Sequence, residues 1–231
     1  MYLLHIANKN YSSWSLRPWV LMKTLGIPFE EKLHRFPYDT PSYPEFIKFA
    51  PSGLVPVLED GDEKAWDSMG VLGYLAERHH EVWPADPRAR TWARSAAAEM
   101  HSGFGTLRNA CGMNIGIRVK RPAITPELQR DLTRLDTLWT EGLTRFGGPF
   151  LAGDKFTAVD AFFCPIAFRA QTYGLPFGKG SMDYLTRLLA LPAMQEWYQA
   201  GIAEDFREVI HEQETTQANE LISDFRVPMK I

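Results

Sequence analysis

Near residue 80 the hydrophobic pattern of this 231-residue chain changes period, and that change limits the folds open to it. Before it, short apolar runs alternate with helical patterns. After it, we find only the three-and-four spacing of amphipathic helices. The first part reads strand, helix, strand, hairpin, helix. Tyr2 to Ile6 is a compact apolar run that predicts a buried strand. From Leu16 a helical face carries Leu16, Trp19 and Val20, completed by Leu25. Pro18 fits only a first turn, which places the helix start near Ser15, and Gly26 with Pro28 ends it. Phe29 to His34 reads as a second strand, and Pro44 to Phe49 as a short helix inside a loop. Leu54 to Leu58 reads as a third strand. Asp60-Gly61 signals a hairpin and Lys64 to Trp66 the returning strand. Asp67 or Ser68 then caps a helix bearing Val71, Leu72 and Leu75.

The two halves join through a Pro-rich stretch, with a linker at 81–87 between an α/β unit at 1–80 and an all-helical unit at 88–231. Arg88 to about Arg108 predicts a long helical segment, weakened in its later part by Gly103, Gly105, Gly112 and Gly116. Leu128, Leu132, Leu135, Trp139, Leu143 and Phe146 mark a second. Thr157 to Gln171 is apolar nearly all round, so it predicts a buried central helix. Shorter helices follow at Met182 to Leu189 and Pro192 to Phe206, and the last twenty or so residues are expected to be irregular.

Charge and composition exclude several function classes. The formal net charge is −3, with no basic stripe of the kind that binds nucleic acid or anionic lipid. No run approaches the roughly 18 apolar residues of a membrane helix, and the N-terminus lacks a signal-peptide pattern. A cytoplasmic protein is expected. Cys111 and Cys164 form no CxxC pair and read as buried thiols. His5, His101 and the His79-His80 pair have no metal-ligand spacing, so no metal is expected. Arg118-Val119-Lys120-Arg121 reads as a solvated charge run, or as an attraction for an anionic co-substrate.

Three short motifs can carry chemistry. Tyr11-Ser12-Ser13-Trp14-Ser15-Leu16-Arg17 lies between the first strand and first helix. Serines there cap the helix. They also stand where N–H groups and the helix dipole favour an anion, and where a hydroxyl can donate to a thiolate. Pro51-Ser52-Gly53-Leu54-Val55-Pro56 puts a proline at a strand start, a place for either an ordinary edge proline or a cis bond. Trp66-Asp67-Ser68 ends a strand at a helix start, as a cap or as a binder of carboxylate and ammonium groups.

In their order and spacing, these motifs resemble the glutathione transferase family over essentially the whole chain. Ser12-Ser13-Trp14-Ser15-Leu16-Arg17 is similar to the serine motif of the zeta class, with Trp14 where that class has cysteine. The resemblance implies a thioredoxin-like α/β domain followed by an all-α domain, and a glutathione transferase that joins the glutathione thiolate to an electrophilic small molecule. It implies Ser12, five residues before Arg17, as the catalytic hydroxyl, with Ser13 as the alternative. It implies Val55, Pro56, Asp67 and Ser68 as glutathione-binding residues. Leu54 departs from the polar residue often found before Val-Pro. Tyr11, Trp14, Phe104 and Met113 read as core and, in part, as a second-substrate pocket at the domain junction. Thr157 and Asp160 match the family's structural capping box, where loss of the cap alone costs about 0.5–2 kcal/mol. Glutathione enters as co-substrate with no further cofactor, and a homodimer is implied. Peroxidase or reductase chemistry, or a non-catalytic interaction module, remain the alternatives on this scaffold.

Overall fold

The computed structural model describes residues 1–217 and 219–228. Its first element is strand β1 (Tyr2–Ala7), which leads into helix α1 (Ser13–Leu25) and strand β2 (Phe29–His34). β1 and β2 are parallel, with Tyr2 opposite Phe29 and Ala7 opposite His34. A short helix α2 (Tyr43–Phe46) precedes the hairpin of β3 (Val57–Asp60) and β4 (Glu63–Trp66). The sheet order is β2-β1-β3-β4, and β3 runs antiparallel to both of its neighbours. The hairpin loop is Gly61-Asp62, one residue later than Asp60-Gly61. Gly61 holds φ 62°, the left-handed value that a tight two-residue turn needs at its first position. Helix α3 (Ser68–Ala76) follows and packs on α1.

The third strand is shorter than its apolar run. Leu54 is 58% exposed and the ladder begins only at Val57, because Pro56 offers no N–H to it. α1 begins two residues before Ser15. Pro18 therefore sits inside the helix and leaves the Trp14 carbonyl without its i+4 donor.

Helices dominate the rest: α4 (Pro87–Ser102), α5 (Gly105–Ala110), α6 (Pro126–Phe146), α7 (Ala158–Tyr173), α8 (Lys179–Leu189), α9 (Pro192–Ile202) and α10 (Val209–Thr216). α7 is buried along nearly its whole length, as its composition requires, and packs against α1, α4 and α8. Two expectations change here. The long helix of Arg88 to Arg108 breaks at Gly103-Phe104. A Cβ on Gly103 would lie 2.7 Å from the Glu99 carbonyl oxygen, and Phe104 takes φ 57°. The second half is also not wholly helical. Strand β5 (Ile117–Val119) pairs antiparallel with β6 (Leu221–Asp224). Three residues are too few to show a period of two, and the partner is a hundred residues away. The tail expected to be irregular therefore carries α10 and β6, and residues 218 and 229–231 of that stretch lie outside the described residues. No helix among the described residues is long and apolar enough to cross a membrane.

Candidate active site at the start of α1

The turn from β1 into α1 is fixed by bonds from distant parts of the chain. The Asn8 carbonyl accepts from Tyr11 N (3.1 Å) and Ser12 N (2.9 Å). The Glu204 carboxylate accepts from Lys9 N (2.7 Å), and the Trp197 indole donates to the Lys9 carbonyl (2.8 Å). The Asn10 side chain accepts from Gly116 N at 3.0 Å. The loop between β1 and α1 is thus held by Gly116 just before β5, by Trp197 within α9 and by Glu204 just after it.

Within this turn the serines divide their roles. Ser12 is the N-cap: its Oγ accepts from Ser15 N (3.4 Å) and donates to Ser15 Oγ (2.7 Å). Ser15 Oγ in turn accepts from Ala7 N at 3.1 Å, which ties the helix start to β1. The Ser13 hydroxyl makes no hydrogen bond among the described residues, and Ser13 lines a cleft of about 200 Å³. Ser12 lines the same cleft with its hydroxyl already engaged.

The other walls come from three regions: Phe36, Phe46, Leu54 and Val55 from the first half, Arg108 and Arg169 from α5 and α7 with Gly112 and Met113 from the loop after α5, and His211 and Glu214 from α10. Tyr11, Trp14 and Met113 join this lining as expected of a pocket. Phe104 does not; it packs in the core at the start of α5. Tyr11 offers no free hydroxyl, since its OH donates to Glu212 at 2.8 Å. Burial, then Glu212, pushes its pKa well up. The peptide bond between Val55 and Pro56 is cis.

Neither Asp67 nor Ser68 lines this cleft: Asp67 is exposed at the start of α3, and Ser68 is buried against Arg17. Asp67 caps α3 by accepting from Met69 N (2.8 Å), at φ 65°, an uncommon backbone state for a non-glycine. It also sits 3.7 Å from His101 Nε2. Ser68 is fully buried and its hydroxyl accepts from Arg17 Nη1 at 3.1 Å. Arg17 is itself buried, with its guanidinium carbon 4.2 Å from the centre of the Trp14 ring. Burial, then Arg108 and Arg169, pulls its pKa down to about 9, which leaves it charged at neutral pH.

The helix start at Thr157 and Asp160 is closed to any ligand. Asp160 is fully buried and accepts from Leu151 N, Thr157 N and Tyr184 OH, each at 3.0 Å, and from Thr157 Oγ1 at 3.4 Å. Burial raises its pKa to about 6 against the pull of those donors. Both cysteines are buried, and burial pushes the Cys111 thiol up to about 11 and Cys164 well up. Among the described residues no group of three or more His, Cys, Asp or Glu side chains is placed to hold a metal ion.

Sequence reasoning missed Arg108, Arg169, His211 and Glu214. One signal was legible: Arg169 is the lone charge in the apolar run from Ala161 to Ala170. A cation there needs a reason. Nothing local marks α10 as a cleft wall.

Known proteins resemble this chain in sequence and in fold. Residues 11–78 match the family profile "Glutathione S-transferase, N-terminal domain", and residues 90–200 match "Glutathione S-transferase, C-terminal domain". A zeta-class glutathione S-transferase from Euphorbia esula is 30% identical over 164 residues, spanning 70% of this chain and 73% of that protein. A stringent starvation protein A homolog from Haemophilus ducreyi is 22% identical over 175 residues, spanning 73% of this chain and 77% of that one. The crystal structure of a glutathione transferase homolog from Burkholderia gl BGR1, with bound glutathione, superposes with a TM-score of 0.65 at 20% identity. That match covers 87% of this chain and 97% of that one. With a sheet ordered β2-β1-β3-β4, a mostly helical second half and a serine-bearing turn at their junction, the chain belongs to the glutathione S-transferase family.

Proposed function

We propose that this protein is a glutathione transferase that binds glutathione with its sulfur beside Ser13 and adds the thiolate to an electrophilic small molecule. The observation that carries this reading is the Ser13 hydroxyl, unpartnered, at the start of α1 and open to the cleft. A thiol of pKa about 8.5 is only a few per cent ionised at neutral pH. A hydroxyl that donates to the sulfur, helped by the N–H groups and dipole of α1, stabilises the ionised form. Ser12 supports the turn that presents those groups. Val55, with Pro56 after it, offers backbone polar groups to the peptide part of glutathione. At its γ-glutamyl end Asp67 is the exposed contact, while Ser68, fully buried, is held behind it by Arg17. Held near an electrophile in the same cleft, the thiolate needs little further help. No cofactor beyond glutathione enters this chemistry, and the family resemblance implies a cytoplasmic homodimer.

A reductase that works through a protein thiol finds none at the sulfur site, since both cysteines are buried with raised pKa values. Reduction by glutathione alone is separated from conjugation by assaying a disulfide and a peroxide beside the electrophile. The non-catalytic reading is tested directly. Calorimetric titration with glutathione is expected to show saturable binding, and 1-chloro-2,4-dinitrobenzene to be conjugated faster than in buffer. Absence of both would leave an interaction module.

A further inference from the structure

Three buried or half-buried arginines meet around the cleft, and among the described residues none forms an ion pair with a carboxylate; Asp67 acts on Arg17 and Glu214 on Arg169 only from beyond ion-pair distance. Arg169, 6% exposed, comes from the apolar helix α7 and Arg108 from α5; both line the cleft. Arg169 Nη1 donates to the carbonyls of Cys111 and Arg108, while its Nε is buried without a partner. Arg108 Nη1 donates to the His101 carbonyl at 3.1 Å, and its Nε and Nη2 make no hydrogen bond among the described residues. Arg17 stands behind Trp14, whose ring centre is 4.2 Å from the Arg17 guanidinium carbon and 4.8 Å from that of Arg108. Elsewhere the chain neutralises a buried arginine thoroughly: Arg226 holds both Glu212 and Asp224. A buried guanidinium without a counter-ion is costly unless an anion arrives to pair with it. The charged lining opposite is Glu214, exposed and in no ion pair with either arginine, and His211, whose Nδ1 is engaged by Glu208.

We propose that the second substrate of this transferase is an anion, an electrophile carrying a carboxylate that Arg108 and Arg169 hold while its reactive carbon faces Ser13. The inference rests on the transferase reading and deepens it. Guanidinium groups suit this task, since their planar fork of donors matches a carboxylate. With 4-chloro-3,5-dinitrobenzoate as the probe, the thiolate sulfur bonds to the carbon bearing chlorine. The C–Cl electron pair leaves with chloride, the thiol proton has gone to solvent, and the carboxylate is unchanged.

The test separates binding from turnover. With the protein saturated by S-methylglutathione, 3,5-dinitrobenzoate and its methyl ester are titrated calorimetrically. The free acid is expected to bind roughly ten- to a hundredfold tighter than the ester, the difference made by one charge-assisted contact or more. Arg108→Gln should erase that preference and Arg108→Lys keep part of it. Equal binding of acid and ester by the unaltered protein overturns the proposal, whatever the variants do. So does a preference that survives Arg108→Gln in a folded protein. Turnover of methyl 4-chloro-3,5-dinitrobenzoate is the separate check on the transferase reading. An ester that reacts well while the acid shows no advantage would sink the anion proposal and leave the transferase standing.

Discussion

Among the helices that open on hydroxyl residues, α1 and α7 have starts that become different things. At α7 the polar groups turn inward: Asp160 gathers Leu151, Thr157 and Tyr184, and nothing remains for a ligand. At α1 the work is divided. Ser12 and Ser15 close the turn on themselves and on β1, and Ser13 is left with a free hydroxyl in a cleft. The charges around them differ in the same sense. The carboxylate at α7 is surrounded by donors, whereas the arginines near α1 form no ion pair with an acceptor of opposite charge among the described residues. A helix start is a staple when its polar groups are satisfied from within, and a site when one or more are left over. Capping residues alone do not separate the two.

Substitutions can break or sharpen that contrast. The largest effect is expected at α7. Asp160→Ala strands two backbone N–H groups and the Tyr184 hydroxyl in the interior, which should cost about 2–4 kcal/mol, more than a cap alone. Urea unfolding measures it; a loss below about 1 kcal/mol would mean water reaches those donors. The loss should also depend on pH. Burial raises Asp160 to about 6, above the ~3.9 of an unfolded aspartate, so between those values the folded state binds more protons. The stability tied to this group is full below about pH 4 and falls as pH rises through about 6. The gap between wild type and Asp160→Ala should narrow over that window. A gap that widens would show that the donors outweigh burial.

Ser12→Ala is intermediate: about 0.5–2 kcal/mol lost through the cap. An unchanged unfolding midpoint would mean that Ser15 and the backbone hold the turn without it. The smallest stability effect belongs to Ser13→Ala, within about 0.5 kcal/mol, because its hydroxyl stabilises nothing in the free protein. A loss as large as that of Ser12→Ala would show that Ser13 is a second staple.

Much of this was legible in the sequence because it is local. The period change, the Gly61 turn, the central helix and the Thr157–Asp160 box each depend on residues a few positions apart. What escaped depends on distant contacts. β5 is visible only beside β6, and the cleft wall from α10 only once the tail folds back. The choice between Ser12 and Ser13 followed spacing to Arg17, which favoured Ser12. The fold separates them by a different criterion, since Ser15 lies within 2.7 Å of the Ser12 hydroxyl and engages it. Arg169 announced itself as a cation in an apolar run. Its lack of an ion-paired carboxylate is a statement about every neighbour, which no window of sequence contains.

The most direct test is the pKa of the bound glutathione thiol, read from thiolate absorbance against pH in wild type, Ser12→Ala and Ser13→Ala. A lost charge-assisted hydrogen bond of about 1.5–3 kcal/mol corresponds to about one to two pKa units. Ser13→Ala should raise the thiol pKa by that amount and slow conjugation at neutral pH by roughly ten- to a hundredfold. Ser12→Ala, after allowance for its lower stability, should move the pKa far less. A rise in Ser12→Ala with none in Ser13→Ala would contradict the division of roles at α1. A thiol pKa unmoved in both would contradict a serine-assisted mechanism altogether.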